Sequence, residues 1–208
     1  MLGCWDVDIL QCPTTAPADV LGIVAPCFHP IVYNQMTMKT TNFGTALMVE
    51  DSPCSVTPLP GQTYIKKLID SVNAAKYSMD IIQYQWNFYP FKPQCLLQQL
   101  NRTILAKIQT GVKVRVLLNK EGRAPQVTVV NQNASRFLSE AGAVVKFGRS
   151  FPITHAKLFI FDDDAVILGS HNLSTRAITV NNESSALIKG REVAREFRRY
   201  FDALWTRL

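Results

Sequence analysis

His155, Lys157, Asp162, Gly169, Ser170 and Asn172 all fall within the segment HAKLFIFDDDAVILGSHN, in the pattern H-x-K, four residues, D, six residues, G-S-x-N. Side chains alternate along a strand, so His155 and Lys157 share one face while Asp162 turns to the other. Ser170 and Asn172 form a second same-face pair, on or just beyond the next strand. Two adjacent strands carrying these pairs bring together an imidazole, an ammonium, a hydroxyl and an amide. That set suits a phosphoryl group. The imidazole can attack or carry a proton, the ammonium faces the oxygens, and the neutral donors complete the cradle. Taken singly these residues are ordinary, since a His beside a strand is commonly structural and Gly-Ser is common in turns. Six positions at fixed offsets carry the reading.

The elements that must hold them are legible on either side. LFIF and AVILG are apolar on both faces, the pattern of central strands covered from both sides. From Gln62 onward, Ile65, Leu68, Ile69, Val72 and Ala75 recur at helical spacing. SMDIIQYQWNF then reads as a strand broken by the loop YPFKP. Leu96, Leu97, Leu100, Ile104 and Ile108 mark a second helix stopped at Gly111. VKVRVLL alternates Lys113 and Arg115 against Val112, Val114 and Val116. Residues 126–141 read as a helix despite the β-rich VTVV, and AVVKF reads as a strand. A last helix sets Val193, Phe197, Tyr200, Phe201 and Leu204 on one side and Arg191, Arg195 and Arg198 on another, a stripe expected to face solvent. Helices between strands predict an α/β fold, a mixed β-sheet flanked by helices on both faces. Residues 1–59 read as an N-terminal extension of uncertain structure, SPCSVTPLPG as the linker, and residues 60–208 as the catalytic domain.

The motif resembles the HKD signature of the phospholipase D superfamily, with every defining position filled. From about Pro60 onward the order of elements is similar to that of the small single-motif bacterial endonucleases of that superfamily. The resemblance implies a phospholipase D-like sandwich and a phosphodiesterase that works through a phosphohistidine without a metal or other cofactor. It implies that His155 is the nucleophile, or the general acid/base of an opposing half-site. Lys157 and Asn172 would bind the phosphoryl oxygens, with Ser170 supporting them and Asp162 and Gly169 structural. Glu183, in NNESSALI, matches the acidic residue that holds the other imidazole nitrogen. One motif supplies one His where the mechanism uses two. The resemblance therefore implies a homodimer with a composite site, and a two-fold contact is the commonest oligomer symmetry. His171, at the free position of G-S-x-N, points away from Ser170 and Asn172 by strand parity. It is expected in the core; the alternative is a self-contained site in which it replaces a partner's His.

Charge and composition narrow the substrate. An apolar content of 47% with 18% charged residues is that of an ordinary soluble domain. Residues 1–59 hold one Lys against five acids, so the remaining residues hold 21 basic side chains against 11 acidic ones. A basic domain is the electrostatic footprint expected for a polyanion, either nucleic acid or an anionic membrane. Nucleic acid, DNA or RNA, is the favoured substrate, with Tyr84, Trp86, Phe88 and Tyr89 available to stack on bases. The alternative is hydrolysis of anionic phospholipids such as cardiolipin, with peripheral membrane contact through the apolar stretch VLGIVAPCFHPIVY.

The consecutive Asp162, Asp163 and Asp164 project in different directions and make a poor metal cage. Cys4, Cys12, Cys27 and Cys54, even with His29, lack the paired spacing of a zinc site. Reduced thiols, with no evident signal peptide or membrane span, predict a cytoplasmic setting.

Overall fold

A computed structural model of the chain describes residues 54–89, 94–122 and 124–208. Cys4, Cys12, Cys27, His29 and the stretch VLGIVAPCFHPIVY lie outside the described residues. Seven strands form one sheet: β1 (Ser55–Pro60), β2 (Ser78–Gln83), β3 (Lys113–Leu118), β4 (Val144–Phe147), β5 (Leu158–Phe161), β6 (Ala165–Gly169) and β7 (Ser184–Lys189). Their spatial order is β1-β7-β6-β5-β2-β3-β4. The helices are α1 (Thr63–Ala74), α2 (Leu96–Gln109), α3 (Pro125–Glu140), the short α4 (Thr175–Thr179) and α5 (Arg191–Trp205). The pairs β2–β3 and β3–β4 are parallel and the rest antiparallel, so the sheet is mixed, as the sequence predicts.

The period of two along each strand divides the core into two. Met79, Ile81, Val116, Phe159 and Ile167 join one cluster with Ile65, Leu68 and Val72 of α1, Leu100 and Ile104 of α2, and Leu138 of α3. Ile82, Leu117, Leu158, Ile160 and Val166 join a smaller one with Ala194 and Phe201 of α5. Full burial of each such side chain contributes roughly 1.5–3 kcal/mol, so both faces must be covered. Helices on both faces do so. Among the described residues, no helix is long and apolar enough to cross a membrane.

Local chemistry sets the element ends. Gly111 (φ 93°) and Gly142 (φ 108°) follow α2 and α3 in the left-handed region, where a Cβ is strained, and each turns the chain into the next parallel strand. Asp162 (φ 50°) and Asp163 (φ 56°) make the turn between β5 and β6. Asp162 then accepts hydrogen bonds from the backbone N–H groups of Lys76 (2.6 Å), Tyr77 (2.8 Å) and Ser78 (2.7 Å), fixing the entry to β2.

Three expectations are corrected. Residues Ser55–Pro60, read as linker, form edge strand β1, in antiparallel register with β7 from Ser55↔Lys189 to Pro60↔Ser184. An edge position tolerates Pro58 and Pro60, which cannot donate to a ladder. The strand read through SMDIIQYQWNF stops at Gln83, and Trp86 instead makes a lone parallel bridge to Leu173. Arg198 does not belong to a solvated stripe. Its guanidinium reaches Asp80 and Asp163 across the sheet face.

Candidate active site

The motif residues gather at one end of the central strands. Lys157 immediately precedes β5 and keeps that strand's alternation, pointing to the α1 side with only 7% of its surface exposed. His155 lies two residues earlier in an extended loop. The Lys157 Nζ lies 3.2 Å from His155 Nδ1 and 3.3 Å from Nε2, and donates to the His155 carbonyl at 2.7 Å. Gly169 closes β6 where no side chain fits. A Cβ there would stand 2.1 Å from Ser185 Oγ and 2.4 Å from its Cα. That close approach lets Ser170 continue the ladder to Ser184 (N to O 2.9 Å) and donate its hydroxyl to Glu183. Asn181 Nδ2 donates to the other Glu183 oxygen at 3.0 Å. Asn172 presents a buried Oδ1 with no protein partner.

The sequence profile of the family described as "Cardiolipin synthase, PLD-like domain" matches residues 68–205. The chain belongs to the PLD-like domain family. The human protein named mitochondrial cardiolipin hydrolase is 28% identical over 161 residues, covering 77% of this chain and 57% of that protein's length. The chain thus spans little more than half of that curated relative. Among solved structures, the phospholipase D family member Nuc of Salmonella typhimurium matches with a TM-score of 0.63 at 21% identity, over 74% of this chain and 95% of that one. NucT from Helicobacter pylori gives 0.60 at 18% identity, over 74% and 97%. The family match spans β2 through β7, and so includes the motif strands.

Within this PLD-like site the charges are unevenly matched. Burial pulls the Lys157 ammonium down to about 8, against a partial opposing pull from the Glu183 carboxylate. Burial and then the Lys157 charge lower the His155 imidazole, while the Glu121 carboxylate works the other way. Glu183 is held below its ordinary range: burial pushes it up, but hydrogen bonds from Ser170 and Asn181, with the Lys157 charge, outweigh that. At neutral pH the site therefore offers a neutral imidazole against a strained cation.

The expected residues are not all brought to one point. Among the described contacts Glu183 makes no hydrogen bond to His155; its oxygens are taken by Ser170 and Asn181. His171 is fully buried, stacked on Tyr64 at 4.1 Å, with Nδ1 2.8 Å from Ser185 Oγ and Nε2 3.1 Å from the Gly61 carbonyl. A carbonyl only accepts, so Nε2 carries a proton, and burial disfavours a second one on Nδ1. It ties β6 to the turn before α1. The aromatic group divides as well. Trp86 is buried and donates Nε1–H to Asn101 (2.9 Å), and Phe88 stacks on Phe137 at 4.3 Å. Tyr84 faces the motif, its ring 4.7 Å from the His155 ring.

Sequence reasoning missed the scaffold behind the site. Buried Asn131 of α3 donates to the carbonyls of Tyr84 (2.9 Å) and Asn119 (2.8 Å) and accepts from Trp86 N–H (2.8 Å). Asn119 in turn accepts from Thr154 N–H at 2.9 Å, one residue before His155. A signal existed: Tyr84, Asn119 and Glu121 follow the carboxyl ends of the parallel strands β2 and β3, where open α/β sheets place their ligands.

Proposed function

We propose that this PLD-like chain is a metal-independent phosphodiesterase in which His155 attacks phosphorus. The imidazole nitrogen forms a bond to phosphorus as the bond to one ester oxygen breaks, and that oxygen takes a proton from a general acid. Water then attacks phosphorus, the P–N bond breaks, and a phosphomonoester leaves. Lys157 and Asn172 bind the non-bridging oxygens, and Ser170 supports them. Glu183 is assigned to fixing Ser170 and balancing Lys157 rather than to holding the imidazole. The general acid is the His155 of a second copy, so the working form is a homodimer with one composite site. The observation that carries this reading is the contact of a nearly buried ammonium with an imidazole, 3.2 Å apart, at the mouth of the sheet. Two such groups side by side are stabilised by an anion between or above them.

The substrate proposed is a polynucleotide in a reducing, cytosolic compartment, supported by the 21 basic against 11 acidic side chains beyond residue 59. A second reading, the phosphodiester of cardiolipin, is favoured by the name of the human relative. It is also favoured by the exposed Phe151 (86%) and Ile153 (45%) on the loop leading to His155. Single-stranded DNA, duplex DNA, RNA and cardiolipin vesicles offered in parallel separate the two. Cleavage of single strands ahead of vesicles, falling with salt, is the expected result; faster cardiolipin turnover overturns the nuclease reading.

A further inference from the structure

Tyr84 occupies a place that neither the motif nor the charge pattern anticipates. Its ring lies against His155 at 4.7 Å, tilted by 55°, and its centroid is 5.1 Å from the Lys157 Nζ. One aromatic face therefore borders both groups that meet the phosphoryl. The backbone that carries the ring is fixed on both sides. Asn131 holds the Tyr84 carbonyl and the Trp86 N–H, so the backbone on both sides is set by one amide. Burial, and then the nearby Glu121 carboxylate, hold the phenol above its ordinary range. Glu121 is 9% exposed, and its backbone is clamped to α3: its N–H donates to Thr128 Oγ1 at 2.9 Å, and that hydroxyl donates to its carbonyl at 3.1 Å.

An exposed His on a loop has several rotamers open to it, and displacement of about 1 Å at the reacting atom costs roughly a hundredfold in rate. Lys157 restrains the imidazole from one side, but a flexible ammonium stem is a poor wall. A rigid ring on a fixed backbone is a good one. The same face stabilises the Lys157 cation without adding a carboxylate beside it, which would compete with the phosphate for that charge. We propose that Tyr84 is a positioning residue that holds His155 and Lys157 in one geometry for the phosphoryl group. The proposal rests on the reading of His155 as the reacting group.

The test uses the full chain and a small chromogenic diester, bis(p-nitrophenyl) phosphate, which needs no extended binding surface. Tyr84→Leu removes the wall and should lower kcat by about 30- to 100-fold with KM within about threefold. Tyr84→Phe keeps the wall and should recover most of that loss. A role in packing alone would instead lower thermal stability, with kcat per folded molecule unchanged. Should Tyr84→Leu fail to fold, Tyr84→Met, which fills the space with a flexible chain rather than a wall, carries the same test with the same expected loss of kcat. Wild-type kcat in a folded Tyr84→Leu or Tyr84→Met overturns the proposal. His155→Ala is assayed beside them: its inactivity with a fully active Tyr84→Leu sinks the positioning role alone, whereas its full activity sinks the reading beneath it.

Discussion

The sheet buries charge in two places, and it treats them in opposite ways. On the α5 face Asp80 is 1% exposed, yet it is surrounded by cations. Arg115 donates to it twice, at 2.7 Å from Nε and 2.7 Å from Nη2, and Arg198 donates as well. Arg115 also reaches Asp202 at 2.9 Å and lies 4.8 Å over the Phe201 ring. On the motif side, Lys157 is almost as buried, but its close partners are a neutral imidazole, a carbonyl and an aromatic face. The Asp80 cluster satisfies its own charge and ties α5 to the sheet. The Lys157 cation has no carboxylate in direct contact, only the pull of nearby Glu183, at a cost in stability that the proposed phosphoryl group would relieve. The paired charge holds the fold, and the less satisfied one lies where the proposed substrate would bind.

Breaking the second region should cost function far more than stability. His155→Ala is expected to lower phosphodiester hydrolysis by about ten-thousandfold, because the covalent route is lost. The truncated side chain is exposed, so the melting temperature should stay within a few degrees, about the wild-type value.

Lys157→Met sharpens the comparison. Activity should fall by about a hundredfold or more with the loss of charge on the phosphoryl oxygens. Stability should rise instead. A Lys whose folded-state value is lowered from 10.5 to about 8 opposes folding while it is charged. At pH 7 that penalty is on the order of 2–3 kcal/mol. The wild type should recover it as pH rises from about 8 toward 10.5, where the unfolded chain alone still binds the proton. Denaturant melts at pH 7 and 10 check both signs.

Asp80→Asn is the converse. It leaves Arg115 and Arg198 without their shared carboxylate and should cost roughly 3–5 kcal/mol. The kcat of the folded fraction should be nearly unchanged.

Smaller effects follow from pH and chelation. The acid limb of kcat/KM should lie below the ordinary His value, since burial and Lys157 both favour neutral His155 in the free protein. Its alkaline limb should fall near 8 as Lys157 discharges. Excess EDTA should leave the rate unaltered, because Lys157 supplies the positive charge; loss restored by zinc or magnesium would break the comparison.

Why some of this was legible in sequence and some was not has physical causes. β5 and β6 were readable because strands covered on both faces are apolar throughout, and the motif's offsets survive as real proximity. The His155–Lys157 contact is such a case. β1 was hidden because an edge strand needs neither apolar alternation nor every N–H, so SVTPLP looks like linker. Arg198 was misread because its partners, Asp80 and Asp163, stand on β2 and in the β5–β6 turn, far away in the chain. Trp86 reads like a stacking residue until its N–H is seen to meet Asn101 inside the core. Tyr84 and Glu121 meet only because two parallel strands end side by side, which no local pattern records.

The most direct test of the central claim is to trap the phosphoryl group itself. A phosphorus-labelled diester is mixed rapidly with the protein, quenched in base, and the digest mapped. An acid-labile, base-stable label on the peptide containing His155, formed within one turnover and absent in His155→Ala, is the result predicted here. Steady turnover with no labelled His155 peptide at any quench time would contradict it.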